Sequence, residues 1–179
     1  MSIVFTLSGV LGSGESGVVN LISRLLDDLR LAVCYTTRTP HAVADRASRF
    51  YFTSRHEFER MIAGDEFLEY AEIWGNYYGT RRQCVAQARE CGKDLLIQID
   101  ELGVEQVRQN LPEAVSILVS PRSAPVTESV IDRRLRSVAQ ETSRRSHDWY
   151  EHAITSDSPE DAATKVVEII RAERRRRDR

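Results

Sequence analysis

Residues 3–16, Ile3-Val4-Phe5-Thr6-Leu7-Ser8-Gly9-Val10-Leu11-Gly12-Ser13-Gly14-Glu15-Ser16, join an apolar run to a glycine-rich loop. A short apolar stretch stopped by glycine reads as a strand covered on both faces. Helical spacing follows at once: Val18, Val19, Leu21, Ile22, Leu25, Leu26 and Leu29 fall on one stripe, with Asp27, Asp28 and Arg30 closing the polar side. Strand, glycine loop and helix in that order let successive backbone N–H groups form an anion nest at the positive end of a helix. Gly9, Gly12, Ser13, Gly14, Glu15 and Ser16 are therefore the candidate phosphate loop.

The phosphate-loop pattern G-x-x-x-x-G-K-[ST] places a lysine along the β- and γ-phosphates. Here that position is Glu15, while Ser16 keeps the hydroxyl that ligates magnesium in such loops. A unit charge about 4 Å from a phosphate at an effective dielectric near 20 is worth about 4 kcal/mol, so the sign reversal is a first-order effect. Two readings of Glu15 stand: a first-turn acid that only stabilises its helix by about 0.3–1 kcal/mol, or a loop whose binding is restored by another cation or metal.

Lys plus Arg is 25 and Asp plus Glu is 27, a net charge of −2, which supplies no global field for nucleic acid or an anionic membrane. Three cysteines, Cys34, Cys84 and Cys91, without paired spacing argue against a disulfide framework or a zinc site, and fit a reduced cytoplasm. The opening MSIVFTLSGV has no basic leader, and no apolar run approaches the roughly 18 residues of a membrane span. The expectation is a cytoplasmic protein.

Outward from the loop, residues 32–82 change texture to short aromatic and β-branched pieces, an inserted subdomain. Within it Ser54 and Glu57 make a capping box for a short helix closed by Gly64. Alternation then resumes with a helix at 82–91, a strand at 93–100, a helix over GVEQVRQNL, a strand at 114–120 and a helix at 128–145. Ser158-Pro159-Glu160-Asp161 opens a final helix. The expected fold is α/β, a parallel sheet flanked by helices, with core 1–31 and 83–179. The arginine-rich end 171–179 reads as a solvated helix terminus, with nucleic acid, anionic lipid or an acidic partner as the functional alternative.

The segments YTTRTP (35–40), EFLEYAEIWGNYYGT (66–80), GKDLLIQID (92–100), TESVIDRRL (127–135) and IIRAER (169–174) resemble the guanylate kinase family in order and spacing. The resemblance implies a P-loop nucleoside-monophosphate-kinase-like core, a GMP-binding subdomain at 32–82 and an arginine-bearing lid. In the implied acceptor pocket, Glu69 matches the carboxylate that reads the guanine N1 and N2 edge, Thr80 a base-contacting hydroxyl, and Arg38 and Tyr78 half of the phosphate clamp. Departures stand at His41 for an arginine, Phe50 for a tyrosine, Cys34 for a hydroxyl and Gln98 for an acid, whereas Asp100 is retained. The other reading makes Arg38, Glu69 and Asp100 a structural ion-pair network and Tyr77, Tyr78 and Phe50 subdomain core. Against it, the two glycines of GNYYGT suit a tight turn beside a ligand.

On the donor side Pro121–Val126 runs almost directly into TESVIDRRL, so the lid reads as truncated near 121–127, and Arg122 reads as a solvated turn residue. Ser156 stands at the place of the family's adenine-contacting asparagine. Loop lysine, lid and adenine contact have changed together. The resulting reading is a guanylate-kinase-like protein without ATP-dependent kinase activity that binds a guanine nucleotide such as GMP, or a protein segment. A second copy of the chain is a further candidate partner. Two alternatives remain: an active or weak guanylate kinase converting GMP to GDP with ATP and Mg, using Ser16, Asp100, Arg133 and Arg134, or a structural protein with no small ligand.

Overall fold

A computed structural model describes residues 2–9, 15–40, 49–120 and 149–177. Five strands form one wholly parallel sheet: β1 (Val4–Ser8), β2 (Leu29–Leu31), β7 (Asp94–Gln98), β8 (Val115–Ser120) and β9 (His152–Thr155), in the order β2-β7-β1-β8-β9. The expected apolar run fills its centre. All five residues of β1 are buried, because helices cover both faces of a strand so placed.

On one face lie α1 (Glu15–Leu25) and the last helix, α5 (Pro159–Arg177). Val18, Val19 and Ile22 meet Ala162, Ala163, Val166, Val167 and Ile170 over Phe5, Leu7, Leu96, Ile117 and Val119. On the other face α3 (Gln83–Glu90) and α4 (Glu101–Asn110) cover Val4, Leu95 and Ile97, with Val85, Ala88 and Val107 in contact. Each fully buried aliphatic side chain here contributes about 1.5–3 kcal/mol of transfer free energy.

The second sheet is mixed: β3 (Cys34–Thr36), β4 (Phe50–Phe52), β5 (Phe67–Ile73) and β6 (Asn76–Arg81), ordered β4-β3-β6-β5. One face of it packs on α2 (Arg55–Ala63), where Phe58 stacks on Phe67 at 4.3 Å and on Tyr77 at 5.0 Å between centroids. Half of the expected capping box forms at its amino end: the Ser54 hydroxyl accepts from Glu57 N at 3.1 Å, while the Glu57 carboxylate pairs with Arg60 at 2.7 Å. Ser158 likewise accepts from Asp161 N at 3.3 Å to open α5.

Two expectations need correction. The arginine-rich end is not simply solvated. It forms the last turns of α5, where Arg174 bridges Asp94 at 2.6 Å and Asp28 at 2.8 Å, and Arg177 donates to the Glu113 carbonyl. Asp94 also accepts from Ile3 N, so this arginine ties three chain segments together. The strand β9, unexpected from the sequence, adds a fifth member to the parallel sheet. Among the described residues no helix is long and apolar enough to cross a membrane.

Candidate functional site

Strand register builds the candidate pocket. Cys34 lies opposite both Phe50 and Thr80, Thr80 lies opposite Glu69, and Thr36 lies opposite Phe52 and Tyr78. Directly paired residues share a face, so Cys34, Thr36, Phe50, Phe52, Glu69, Tyr78 and Thr80 present one surface, away from α2. Tyr77 belongs to the other surface, against Phe58. The reading of Tyr77, Tyr78 and Phe50 as a single aromatic core therefore divides: Tyr77 is core, and the other two line the opposite face.

A β-bulge aims the acid. Phe67 pairs with Arg81 but Glu69 with Thr80, so two residues of β5 face one of β6. Simple alternation would put Phe67 and Glu69 on the same face. The extra residue rotates Glu69 away from α2 and onto the pocket surface. Glu69 is only 6% exposed. Burial pushes its carboxyl up to about 7, and the Asp100 charge adds to the rise, while hydrogen bonds with Thr80 oppose it. Cys34 lies in the same environment; burial first and the Glu69 charge second push its thiol up to about 12, so it stays protonated.

The guanidinium of Arg38 packs at 5.2 Å over both the Phe50 and Phe52 rings, and Phe50 meets Tyr78 edge-on at 6.2 Å. Asp100 caps α4 by accepting from Gly103 N at 2.8 Å. Gln98 is the last residue of β7, exposed and paired in register with Leu7, whereas Glu69 sits against the first turn of α4. The GNYYGT glycines also need correction. Gly75, with φ +76, makes the β5–β6 hairpin turn beside Trp74. Gly79 lies within β6 facing away from the pocket, where a Cβ would come within 2.9 Å of Phe67 and Tyr70. The second glycine serves packing, not a ligand.

On the parallel sheet, Gly9 follows β1 with φ +139, and a Cβ there would lie 1.8 Å from the Val119 carbonyl oxygen. Backbone passes so close that only glycine fits. Ser156 is wholly buried, with the Ser158 carbonyl at 2.9 Å and Asp161 Oδ2 at 2.7 Å, so its hydroxyl is committed to the start of α5. Gly12, Ser13, Gly14, His41, Arg122, Arg133, Arg134, the lid segment 121–127 and the expected helix 128–145 lie outside the described residues, as do the side chains of Glu15 and Ser16. Among the described residues no group of three or more His, Cys, Asp or Glu could hold a metal ion.

Sequence reading missed the contribution of α4. Gly103, Gln106 and Asn110 recur at helical spacing along its β5 side. Gln106 accepts from Tyr70 N at 3.1 Å and donates to Tyr70 O at 2.8 Å, and Asn110 donates to Leu68 O at 2.9 Å. Tyr150 was also missed: it is buried against Val104 and Leu118, its hydroxyl without a partner in good geometry beside a Ser8 hydroxyl committed to Ile99 O at 2.7 Å.

A parallel sheet with a glycine leaving its central strand into a helix, and a second sheet set beside the strand ends, defines an α/β protein of the P-loop kinase class. The guanylate kinase family model matches residues 2–173, and the chain belongs to that family. It is 35% identical to the guanylate kinase of Koribacter versatilis (strain Ellin345) over 188 positions, covering 97% of this chain and 80% of that protein. The identity to the Escherichia coli (strain K12) guanylate kinase is 35% over 191 positions, covering 98% and 90%. A crystal structure of guanylate kinase from Anaplasma phagocytophilum matches with TM-score 0.75 and 29% identity, covering 96% of this chain and 86% of that one. Both sequence alignments are longer than the 179-residue chain, so the chain carries gaps against each relative.

Proposed function

We propose that the chain binds a guanine nucleotide on the pocket face of the four-stranded sheet and does not carry out ATP-dependent phosphoryl transfer. One observation carries the binding half: a buried carboxyl, Glu69, paired in register with the Thr80 hydroxyl and aimed by a bulge at the pocket. A carboxylate accepting from the two adjacent donors of guanine selects that base, because adenine would leave it unpaired. Phosphate would then lie toward Arg38 and Tyr78.

The catalytic half rests on Glu15 in place of the loop lysine, on the short run 121–126 before TESVIDRRL where the family resemblance implies a lid, and on the buried Ser156, whose hydroxyl is held at the start of α5. A loss of about 4 kcal/mol, the worth of one such charge beside the phosphates, corresponds to a factor on the order of 10³ in rate. A second reading, a slow guanylate kinase, is favoured by the names of the relatives. Ser16 and Asp100 would then hold Mg, with Arg133 and Arg134 facing the phosphates of ATP. The unpaired cysteines favour a cytoplasmic setting for either reading.

Calorimetric titration with GMP and with ATP separately, alongside a coupled assay containing both and Mg, tests the proposal. Expected are measurable GMP binding, little heat from ATP, and no turnover in either the wild type or Glu15→Lys. Turnover near ordinary kinase rates of 1–100 per second removes the silent-enzyme half. Absence of GMP binding removes the other.

A further inference from the structure

The outer edge of β5 would be an unpaired row of backbone groups were α4 not laid along it. Gln106 exchanges two hydrogen bonds with Tyr70, as a neighbouring strand would, and Asn110 holds the carbonyl of Leu68. Arg82 in turn donates to Asn110 Oδ1 at 3.1 Å and to Asp65, fixing that amide from the far end of β6. The two residues so pinned, Leu68 and Tyr70, flank Glu69 on either side. The carboxyl itself rests over the first turn of α4, where a Cβ on Gly103 would come within 3.1 Å of Glu69 Oε2.

We infer that Gln106 and Asn110 are positioning residues for base selection: they lock the bulge in β5 and so hold the Glu69 carboxyl over Gly103, facing the pocket. This rests on the guanine-binding reading above. A bulge is the least paired point of a strand, and slipping it by one residue exchanges the faces of all side chains beyond it. Without the clamp Glu69 and Tyr70 compete for the pocket face. An edge-protecting role alone would alter stability and aggregation; the positioning role also alters which purine binds.

The test is calorimetry with guanosine and with adenosine on the full chain, for the wild type, Gln106→Leu and Asn110→Leu. Gln106→Leu keeps the bulk and removes both bonds to Tyr70. The wild type is expected to prefer guanosine, and Gln106→Leu to lose at least tenfold of that preference, about the worth of one well-placed hydrogen bond to a charged group, with adenosine affinity unchanged. Carboxyl NMR of Glu69 adds a readout independent of ligand. Its titration is expected to fall back toward the ordinary glutamate range in Gln106→Leu, and in Asn110→Leu should the first variant fail to fold. Undiminished guanosine preference with an unmoved Glu69 titration in a folded variant overturns the inference and leaves the guanine reading standing. A wild type that binds neither nucleoside overturns both.

Discussion

The exit of β1 from the parallel sheet and the face of the four-stranded sheet are built from different material. At the first, the chain leaves β1 through Gly9, whose hydrogen side chain is all that the Val119 carbonyl admits. Shape there is set by main chain. At the second, Cys34, Thr80, Glu69, Tyr78 and Phe50 are brought together by strand register and one bulge, and the chemistry is set by side chains. A site of the first kind tolerates changes of side chain while it keeps its backbone path; one of the second kind changes meaning with each substitution. Glu15 and Phe50 are then departures of different weight: the loop keeps its glycines and carries an acid where the phosphate-loop pattern has a lysine, whereas Phe50 keeps an aromatic ring on the pocket face and lacks only the hydroxyl of a tyrosine.

The contrast breaks most visibly at Gly9. Gly9→Ala combines a positive φ with a backbone overlap, and is expected to cost about 4 kcal/mol of stability, the sum of strain and overpacking. Urea denaturation measures it. A loss below about 1 kcal/mol would mean that the β1 exit is not held by main-chain contact, and the distinction between the two regions would fail there.

Next in size is Glu69→Gln, with an effect that depends on pH. The native carboxyl titrates at about 7 against an ordinary value of 4.5, so the folded state holds a proton that the unfolded state has released across that window. Stability contributed by this group is therefore undiminished below about pH 4.5, falls as pH rises through 7, and is lower by up to about 3 kcal/mol above it. Glutamine does not ionise. The variant should match the wild type near pH 4.5 and exceed it by up to about 3 kcal/mol at pH 8. A difference constant between those pH values would show that the carboxyl is not held in the buried position. Guanosine binding, which favours the ionised form, should weaken about tenfold per pH unit below 7.

How much of this was legible in the sequence follows the same division. Glycines, caps and buried runs act locally, so β1, the Ser54 and Ser158 caps, the alternating core and the helix after β1 as far as Leu25 could be read directly; Leu29, read on that helix, opens β2 instead. The strand β9 could not: His152 is half-buried against Glu173 and Thr155 is exposed, leaving too little apolar pattern in four residues. The bulge at Leu68 and Glu69 was hidden because FLEYAEI reads equally well in either register, and the partner that settles it lies on α4, some forty residues away. Glu69 could be named as a pocket residue only through family resemblance. Its aim is a tertiary property.

Asp100 gives the smallest and most discriminating contrast, since it belongs to both regions: it follows the parallel strand β7, and its charge acts on Glu69. Asp100→Ala removes the cap bond to Gly103 N and should cost about 1 kcal/mol; Asp100→Asn retains a cap of similar quality and should cost only a few tenths. Both remove the negative charge, so both should lower the Glu69 titration toward its ordinary range by the same amount. Equal titration shifts with unequal stabilities would separate the local role of Asp100 from its electrostatic one. If only Asp100→Ala moved the titration, the first turn of α4, rather than the charge of Asp100, would be what acts on the pocket carboxyl.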